Sequence, residues 1–232
     1  MELVVFGASG PTGRQVVQQA VSAGHSVTAV TRNPDDYPIE ASRVRVVSAD
    51  VTHPERVADA LAGSEAVIST FGVPYSRSKV TVYSEGIINV IAGMHQHGIT
   101  RLVCVTSTSV AQGEAPGESL FWRKILIPVL RNVIGRTLYD DMQRMEETVA
   151  GSDLDWTIVR PGGLFNTAAP TGDYVVSAER LSGRMTSRAD LAQTLIFEAV
   201  ERRHSRSIIE VITRSQLPTP RTFFRDAFGI GA

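Results

Sequence analysis

Residues 7 to 13 read GASGPTG, a segment of small and hydroxyl-bearing side chains that suits the binding of a phosphate group. Glycine lets the backbone turn tightly and approach an anion closely. Ser9 and Thr12 add hydroxyl donors, and Pro11 is tolerated early in a helix because its missing N–H has no partner there. The glycines of the segment are Gly7, Gly10 and Gly13. The alternative interpretation is an ordinary turn between a strand and a helix.

The residues on either side favour a dinucleotide site over an ordinary turn. The apolar run ELVVF precedes the glycines, the helical segment RQVVQQAVSAG follows them, and a second apolar run, SVTAV, comes next. This is the order of a strand–helix–strand unit of about 30 residues that binds dinucleotides. In such a unit the pyrophosphate lies at the helix N-terminus, against free N–H groups.

The end of the second predicted strand indicates which dinucleotide binds. An acidic side chain there would accept hydrogen bonds from the adenosine ribose, whereas an arginine would pair with a 2′-phosphate. This chain has Arg32 in the sequence AVTRNP, and Arg14 at the start of the helix is placed to assist it. We therefore predict NADP(H) in preference to NAD(H). The rival signal is Asp35 and Asp36, which follow Pro34 and are typical of a solvated turn.

Two further strand ends carry residues suited to the same ligand. Asp50 follows the third predicted strand, where its carboxylate is placed either to reach an adenine edge or to mark the start of the helix near Pro54. Gly72 follows the fourth predicted strand. Ligands of open α/β folds bind at this carboxyl edge of the sheet, so Gly72 would permit close approach of the backbone.

The stretch YDDMQ, residues 139 to 143, raises the question of a catalytic acid. A tyrosine with its reference pKa of about 10 needs a nearby ammonium, from a lysine four residues later, to exchange a proton at neutral pH. Tyr139 is followed at that spacing by the uncharged Gln143, so ordinary alcohol–ketone chemistry is not predicted. Asp140 and Asp141 point about 100° apart, so at most one faces a pocket. We interpret Asp140 as a charge at a helix N-terminus.

Two other constellations are weaker. Tyr75 and Lys79 have the tyrosine–lysine spacing, but they precede the strand VTSTS instead of following it. We interpret them as part of a loop beside the cofactor mouth. His95 and His97 are two residues apart on a helical segment and do not share a face, so no metal site is predicted.

The elements that must position these residues alternate along the chain. Seven short apolar runs, from ELVVF to SIIEVIT, alternate with segments of helical period. This pattern predicts an α/β fold of the Rossmann type: a doubly wound parallel sheet of about seven strands in three α/β/α layers. We predict one NAD(P)-binding domain over residues 1–232, with a lid over 111–136 and a small C-terminal substrate region over 162–232.

The predicted lid contains LFWRKILIPVLRNVIGR, in which aromatic and aliphatic residues are mixed with four basic ones. Such a segment suits a lid over the cofactor, a packing or oligomer contact, or an interfacial membrane helix. We favour the lid because the segment lies between the VTSTS strand and the next helix. An apolar lid indicates a small apolar or aromatic substrate.

Composition excludes several classes of protein. Lys and Arg number 23 against 24 Asp and Glu, a net charge of −1, which gives no general attraction to nucleic acid or acidic membranes. The single cysteine, Cys104, allows no disulfide framework, and the N-terminus lacks a secretory signal pattern. No run of about 18 apolar residues is present to span a bilayer. We therefore predict a cytoplasmic protein.

These motifs together resemble the atypical short-chain dehydrogenases/reductases, the NAD(P)H-binding group that contains NmrA-like proteins and the biliverdin-IXβ and flavin reductases. The resemblance covers most of the chain and runs through GASGPTG, TRN, ADV, FG, VTSTS, DDMQRMEE, SDLDWTIVRPGGL, PTGDYVV and MTSRADLA. It implies that the pyrophosphate is held by Ser9, Gly10, Thr12 and Gly13. It further implies that Arg32 holds the 2′-phosphate.

The same resemblance implies roles at the later strand ends. The adenine would contact Asp50 and Val51. The path to the nicotinamide would be lined by Phe71, Gly72 and Thr106, with Pro161 and Gly162 on its far side. Ser107 falls where the flavin and biliverdin reductases have a serine near the substrate. Gly163 stands where those enzymes have a histidine, which argues against a biliverdin-like activity.

The expected function is reduction of a flavin, quinone or similar conjugated acceptor by hydride transfer from NADPH, with Ser107 orienting the acceptor. Such acceptors can take their proton from water and need no tyrosine–lysine pair. One alternative is a non-catalytic, NADP(H)-sensing regulator that acts through a partner protein, as in NmrA-like proteins. Another is a sugar-nucleotide epimerase, which the missing pair disfavours. We expect a monomer or a homodimer.

Overall fold

The computed structural model describes residues 1–73, 78–111, 115–117, 135–219 and 222. Eight strands form the main sheet: β1 (Glu2–Phe6), β2 (Ser26–Thr31), β3 (Val44–Ser48), β4 (Ala66–Ser69), β5 (Arg101–Val105), β6 (Asp155–Pro161), β8 (Tyr174–Ser177) and β10 (Ser207–Thr213). Two short strands pair separately: β7 (Gly163–Phe165) and β9 (Met185–Ser187). The helices are α1 (Pro11–Ser22), α2 (Pro54–Leu61), α3 (Val82–His97), α4 (Arg136–Ala150) and α5 (Arg188–Glu201).

The strand order of the main sheet is β3-β2-β1-β4-β5-β6-β10-β8. Its first seven strands are parallel, and β8 joins β10 antiparallel at the edge. The predicted α/β, doubly wound Rossmann-type sheet is therefore confirmed, with β8 as an additional strand. The order reverses between β1 and β4, and this switch point is where open α/β sheets bind ligands.

Helices cover both faces of the sheet and complete the three layers. One apolar cluster packs α2, α3 and α4 against one face, and a second packs α1 and α5 against the other. Alternate residues of β1 supply the two clusters: Val4 and Phe6 enter the first, Leu3 and Val5 the second. All four are buried, and burying each side chain stabilises the fold by roughly 1.5–3 kcal/mol.

Several predictions fall on residues outside the described part of the chain. Most of the proposed lid over 111–136 is among them, as is Tyr75 of the loop tyrosine–lysine pair. No helix in the described ranges has both the length and the apolarity needed to cross a bilayer.

Candidate functional site

The glycine segment forms a tight turn between β1 and α1, here called the phosphate cradle, and two of its positions have no room for a side chain. Gly7 has a φ of +77°, and a Cβ there would lie 2.6 Å from the carbonyl oxygen of Thr70. A Cβ on Gly13 would lie 2.2 Å from the carbonyl oxygen of Gly7. The Gly10 N–H donates to that same oxygen at 3.0 Å. The backbone is therefore drawn close together at the switch point, where β1 and β4 end side by side.

The start of α1 leaves hydrogen-bond donors available to an anion. Gly10 is the N-cap residue and has no side chain to cap the helix, and Pro11 follows at the first helical position. The first turn contains no acidic residue. First-turn amides have no partner within their own helix, and here they add to the positive end of the helix dipole. The cradle therefore fits a phosphate or pyrophosphate group.

The ends of β2 and β3 bring the predicted nucleotide residues together. Arg32 is exposed, and the pKa of the nearby Asp50 carboxyl group is lowered by hydrogen bonds from Thr52 and, to a smaller extent, by the charge of Arg32. The larger causes of that lowering are hydrogen bonds from the backbone N–H and the hydroxyl of Thr52, at 2.9 and 2.7 Å. His53, not Asp50, is the N-cap residue of α2. Asp50 therefore closes a local turn instead of capping the helix, and its contact with adenine stays a prediction.

Two residues of α3 that the sequence analysis missed hold this region in place. A Cβ on Gly86 would lie 2.9 Å from Val51 Cγ2 and 3.0 Å from Phe71 Cε2, so Gly86 lets both side chains pack against the helix. Asn89 Nδ2 donates to the carbonyl oxygen of Val51 at 2.8 Å. Phe71 is buried edge-to-face on Phe6, with ring centroids 6.3 Å apart. A glycine inside a helix costs roughly 1 kcal/mol relative to alanine. An isolated glycine in a helical segment, such as Gly86, therefore indicates a close packing contact, and this was the signal in the sequence.

A buried ion pair fixes the carboxyl ends of β5 and β6. Glu146 on α4 is 6% exposed and accepts a hydrogen bond from the Thr106 hydroxyl at 2.6 Å. Arg160 binds both carboxylate oxygens, through Nε at 2.9 Å and Nη2 at 2.5 Å. The Thr106 hydroxyl is thus directed at Glu146, and its N–H donates to the Val159 carbonyl oxygen at 3.0 Å, so a contact of Thr106 with the cofactor stays a prediction. Neither Glu146 nor Arg160 was predicted, because the pair joins two elements.

Ser107 directly follows this network and caps a short 3-10 helix, Thr108–Val110. Its Oγ accepts from the Ser109 N–H at 3.1 Å. A hydroxyl has one proton and two lone pairs, so the Ser107 proton remains available for another acceptor. On the neighbouring strand end, a Cβ on Gly162 would lie 2.5 Å from the Arg184 carbonyl oxygen. Pro161 is buried at the end of β6 beside it, and Gly163 begins β7.

The YDDMQ stretch lies within α4, not at its start. The helix begins at Arg136, so the interpretation of Asp140 as an N-terminal charge is wrong. Asp140 is exposed, and its carboxylate lies 3.8 Å from the Arg136 guanidinium. Tyr139 is buried in the core on the α3 side of the sheet. The Gln143 side chain carries no charge, and its amide donates to the Glu147 carboxylate at 3.0 Å. It therefore cannot lower the pKa of the tyrosine as a lysine would.

Asp141 turns inward and caps a different helix. Its side chain is fully buried and accepts hydrogen bonds from the backbone N–H of Tyr83, at 2.9 Å, and the hydroxyl of Ser84, at 2.5 Å. Both donors belong to the first turn of α3. In the described ranges, no group of three His, Cys, Asp or Glu residues is arranged to hold a metal ion.

Comparison with known proteins gives the family. A family model described as NAD(P)H-binding matches residues 7–201. The chain belongs to this NAD(P)H-binding family. An uncharacterised chloroplastic protein of Arabidopsis thaliana is 29% identical to it, over 98% of this chain and 81% of that protein. The predicted resemblance to atypical short-chain dehydrogenases/reductases is confirmed by the family and the fold.

Solved structures share the fold of this NAD(P)H-binding protein. The anaerobilin reductase ChuY of Escherichia coli O157:H7 is 23% identical, with a TM-score of 0.73 over 94% of this chain and 100% of that one. A short-chain dehydrogenase/reductase of Veillonella parvula in complex with NADP is 17% identical. Its TM-score is 0.75 over 96% of each chain.

Proposed function

We propose that the protein binds NADP(H) in preference to NAD(H) and reduces a flavin, quinone or similar conjugated acceptor. The observation that carries the proposal is a phosphate cradle at the switch point of the sheet, combined with a glutamine at residue 143, where a catalytic tyrosine at 139 would need a lysine. The cradle suits a dinucleotide, and the missing pair removes the usual means of exchanging a proton with an alcohol. The NAD(P)H-binding family and the fold shared with an anaerobilin reductase support a reductase.

In this proposal the cofactor lies across the carboxyl ends of β1 to β6. The backbone of the glycine segment and the hydroxyls of Ser9 and Thr12 hold the pyrophosphate. Arg32 pairs with the 2′-phosphate, and an arginine there suits that doubly charged group. Asp50 and Val51 contact the adenine. The nicotinamide side is formed by Phe71, Gly72, Thr106, Pro161 and Gly162.

The chain's own residues bind and orient the acceptor. When bound, the dinucleotide supplies a hydride, which with one proton from water reduces the acceptor by two electrons. Ser107 donates its hydroxyl proton to an acceptor oxygen or nitrogen while its lone pair stays engaged by the Ser109 N–H. A flavin or quinone needs no stronger acid, because its reduced form is protonated readily by water.

A second candidate function rests on the same glutamine at residue 143. A site whose helix lacks a lysine four residues after its tyrosine is also suited to distinguish NADPH from NADP and to act through a partner protein. The sugar-nucleotide epimerase alternative is disfavoured, because epimerisation through a ketone needs the tyrosine–lysine pair that the described residues lack. The cytoplasmic location and the monomeric or homodimeric state stay predictions.

The test is continuous NADPH oxidation in the presence of flavins, quinones and dichlorophenolindophenol. We expect turnover with at least one acceptor and a loss of at least tenfold in Ser107→Ala, which corresponds to about 1.4 kcal/mol of transition-state stabilisation. Ser109→Ala is the matched control, because only the backbone of Ser109 takes part in the contact with Ser107. If the protein binds NADP tightly but no acceptor causes oxidation of NADPH, the reductase function is excluded and the NADP(H)-sensing function is favoured.

The cofactor preference has its own test. Arg32→Ala should weaken NADPH binding and leave NADH binding nearly unchanged, because only NADPH carries the 2′-phosphate. The two dissociation constants are measured by the fluorescence of the reduced nicotinamide. An Arg32→Ala protein that keeps the full preference for NADPH would refute the assignment.

A further inference from the structure

Ser9, in the middle of the glycine segment, is held from two directions. Its carbonyl oxygen accepts a hydrogen bond from Arg14 Nε at 2.9 Å. Its hydroxyl is hydrogen-bonded to the hydroxyl of Thr31, the last residue of β2. The second contact ties the phosphate cradle to the strand that leads into the loop of Arg32.

The Thr31 hydroxyl also holds the residue that follows Arg32. The Asn33 N–H donates to Thr31 Oγ1 at 3.2 Å. Arg32 therefore lies between Thr31, which carries this hydroxyl, and Asn33, whose backbone is hydrogen-bonded to it. Thr31 is 6% exposed, so this hydroxyl is protected from competition with water.

The hydrogen-bonding capacity of one hydroxyl is sufficient for both contacts. Thr31 Oγ1 can accept from Asn33 and at the same time donate its proton to Ser9. That arrangement leaves the proton of the Ser9 hydroxyl free to donate to a phosphate oxygen. One buried threonine thus touches both halves of the site, the segment at the pyrophosphate and the loop that carries the guanidinium.

We propose that Thr31 is a positioning residue that couples the phosphate cradle to the Arg32 loop and so sets the selectivity for NADP(H). The inference rests on the proposed cofactor preference. An exposed arginine carries about 2 kcal/mol of rotamer entropy, and binding is weakened further if its backbone must also be ordered. Fixing the backbone on both sides of Arg32 removes that second cost before the 2′-phosphate arrives.

The test compares three variants of β2. Thr31→Val removes the hydroxyl and keeps the branched shape, whereas Thr31→Ser keeps the hydroxyl. Thr28→Val is the matched control, because Thr28 lies on the same strand and is 7% exposed, and within the described part of the chain its hydroxyl accepts from Arg45 at 3.2 and 3.3 Å and contacts neither Ser9 nor Asn33. Dissociation constants for NADPH and NADH are measured for each protein by nicotinamide fluorescence, with melting temperatures alongside.

We expect Thr31→Val to weaken NADPH binding by about tenfold, the size of one net hydrogen bond, and NADH binding by no more than about threefold. Thr31→Ser should restore the selectivity, and Thr28→Val should leave it unchanged even if it lowers the melting temperature equally. A wild-type protein without NADPH preference would refute the proposed function and this inference together. A wild-type preference that Thr31→Val retains in full, or loses no more than Thr28→Val does, would overturn the inference alone.

Discussion

Replacing Asp141 with alanine should destabilise the protein by removing the cap of α3. The carboxylate of Asp141 accepts from the N–H groups of Tyr83 and Ser84, at 2.9 and 3.4 Å, and from the Ser84 hydroxyl. It also lies 3.2 Å from Arg144 Nη2. The first turn of α3 directly follows the loop after β4, which the proposed function places beside the nicotinamide. The cap therefore links the stability of the fold to the shape of the candidate site.

The magnitude follows from the groups left without partners. Loss of a helix N-cap costs about 0.5–2 kcal/mol. A buried donor left unsatisfied costs roughly 1–3 kcal/mol, and here the Tyr83 N–H and the Ser84 hydroxyl both lose their acceptor. Some of these donors will find water, so we expect about 3–4 kcal/mol for Asp141→Ala. Asp141→Asn keeps one acceptor oxygen, and we expect roughly half that loss.

Urea denaturation followed by circular dichroism measures the effect, and the sequence supplies a neighbouring control. Asp140 is next to Asp141, but its side chain is 54% exposed and pairs with Arg136 at 3.8 Å. Exposed pairs of this kind contribute about 0–1 kcal/mol, so Asp140→Ala should change the free energy of unfolding little. An Asp141→Ala protein within about 1 kcal/mol of wild type, or one no less stable than Asp140→Ala, would refute the reasoning.

Three further predictions concern the cradle and the core. Gly13→Ala should abolish NADPH binding in a fluorescence titration, because its Cβ would lie 2.2 Å from the Gly7 carbonyl oxygen; wild-type affinity would contradict the cradle. Burial raises the pKa of Tyr83 to about 12, so the stability that the neutral phenol contributes is complete below pH ~10 and lost as pH rises through about 12. The difference in unfolding free energy between wild type and Tyr83→Phe should therefore shrink between pH 9 and 11.5. A difference that stays constant over this range would contradict the raised pKa of Tyr83. Burial also raises the pKa of the fully buried Cys104 thiol, so a thiol reagent should label it only after unfolding; rapid labelling of the native protein would show that it is accessible.

The sequence predicted those features that depend on short segments. Central strands such as β1 and β5 appear as short apolar runs because they are buried on both faces, and this pattern predicted the parallel α/β sheet. The cradle was predictable because its glycines lie within one short segment, and two of them have a local reason: the positive φ of Gly7 and the contact that a Cβ on Gly13 would make with the Gly7 carbonyl oxygen. The absence of a lysine at residue 143 was likewise visible without a structure.

The contacts that hold the site together join residues far apart in the chain, and only the tertiary structure decided them. Asp141 caps a helix that begins at Val82, Gly86 makes room for Val51 and Phe71, and Thr31 binds Ser9. The composition of each segment is compatible with many partners, so no local pattern distinguishes Asp141 from Asp140. Which carboxylate is buried depends on the rotation of α4 against α3, and that rotation is set by packing across the whole core.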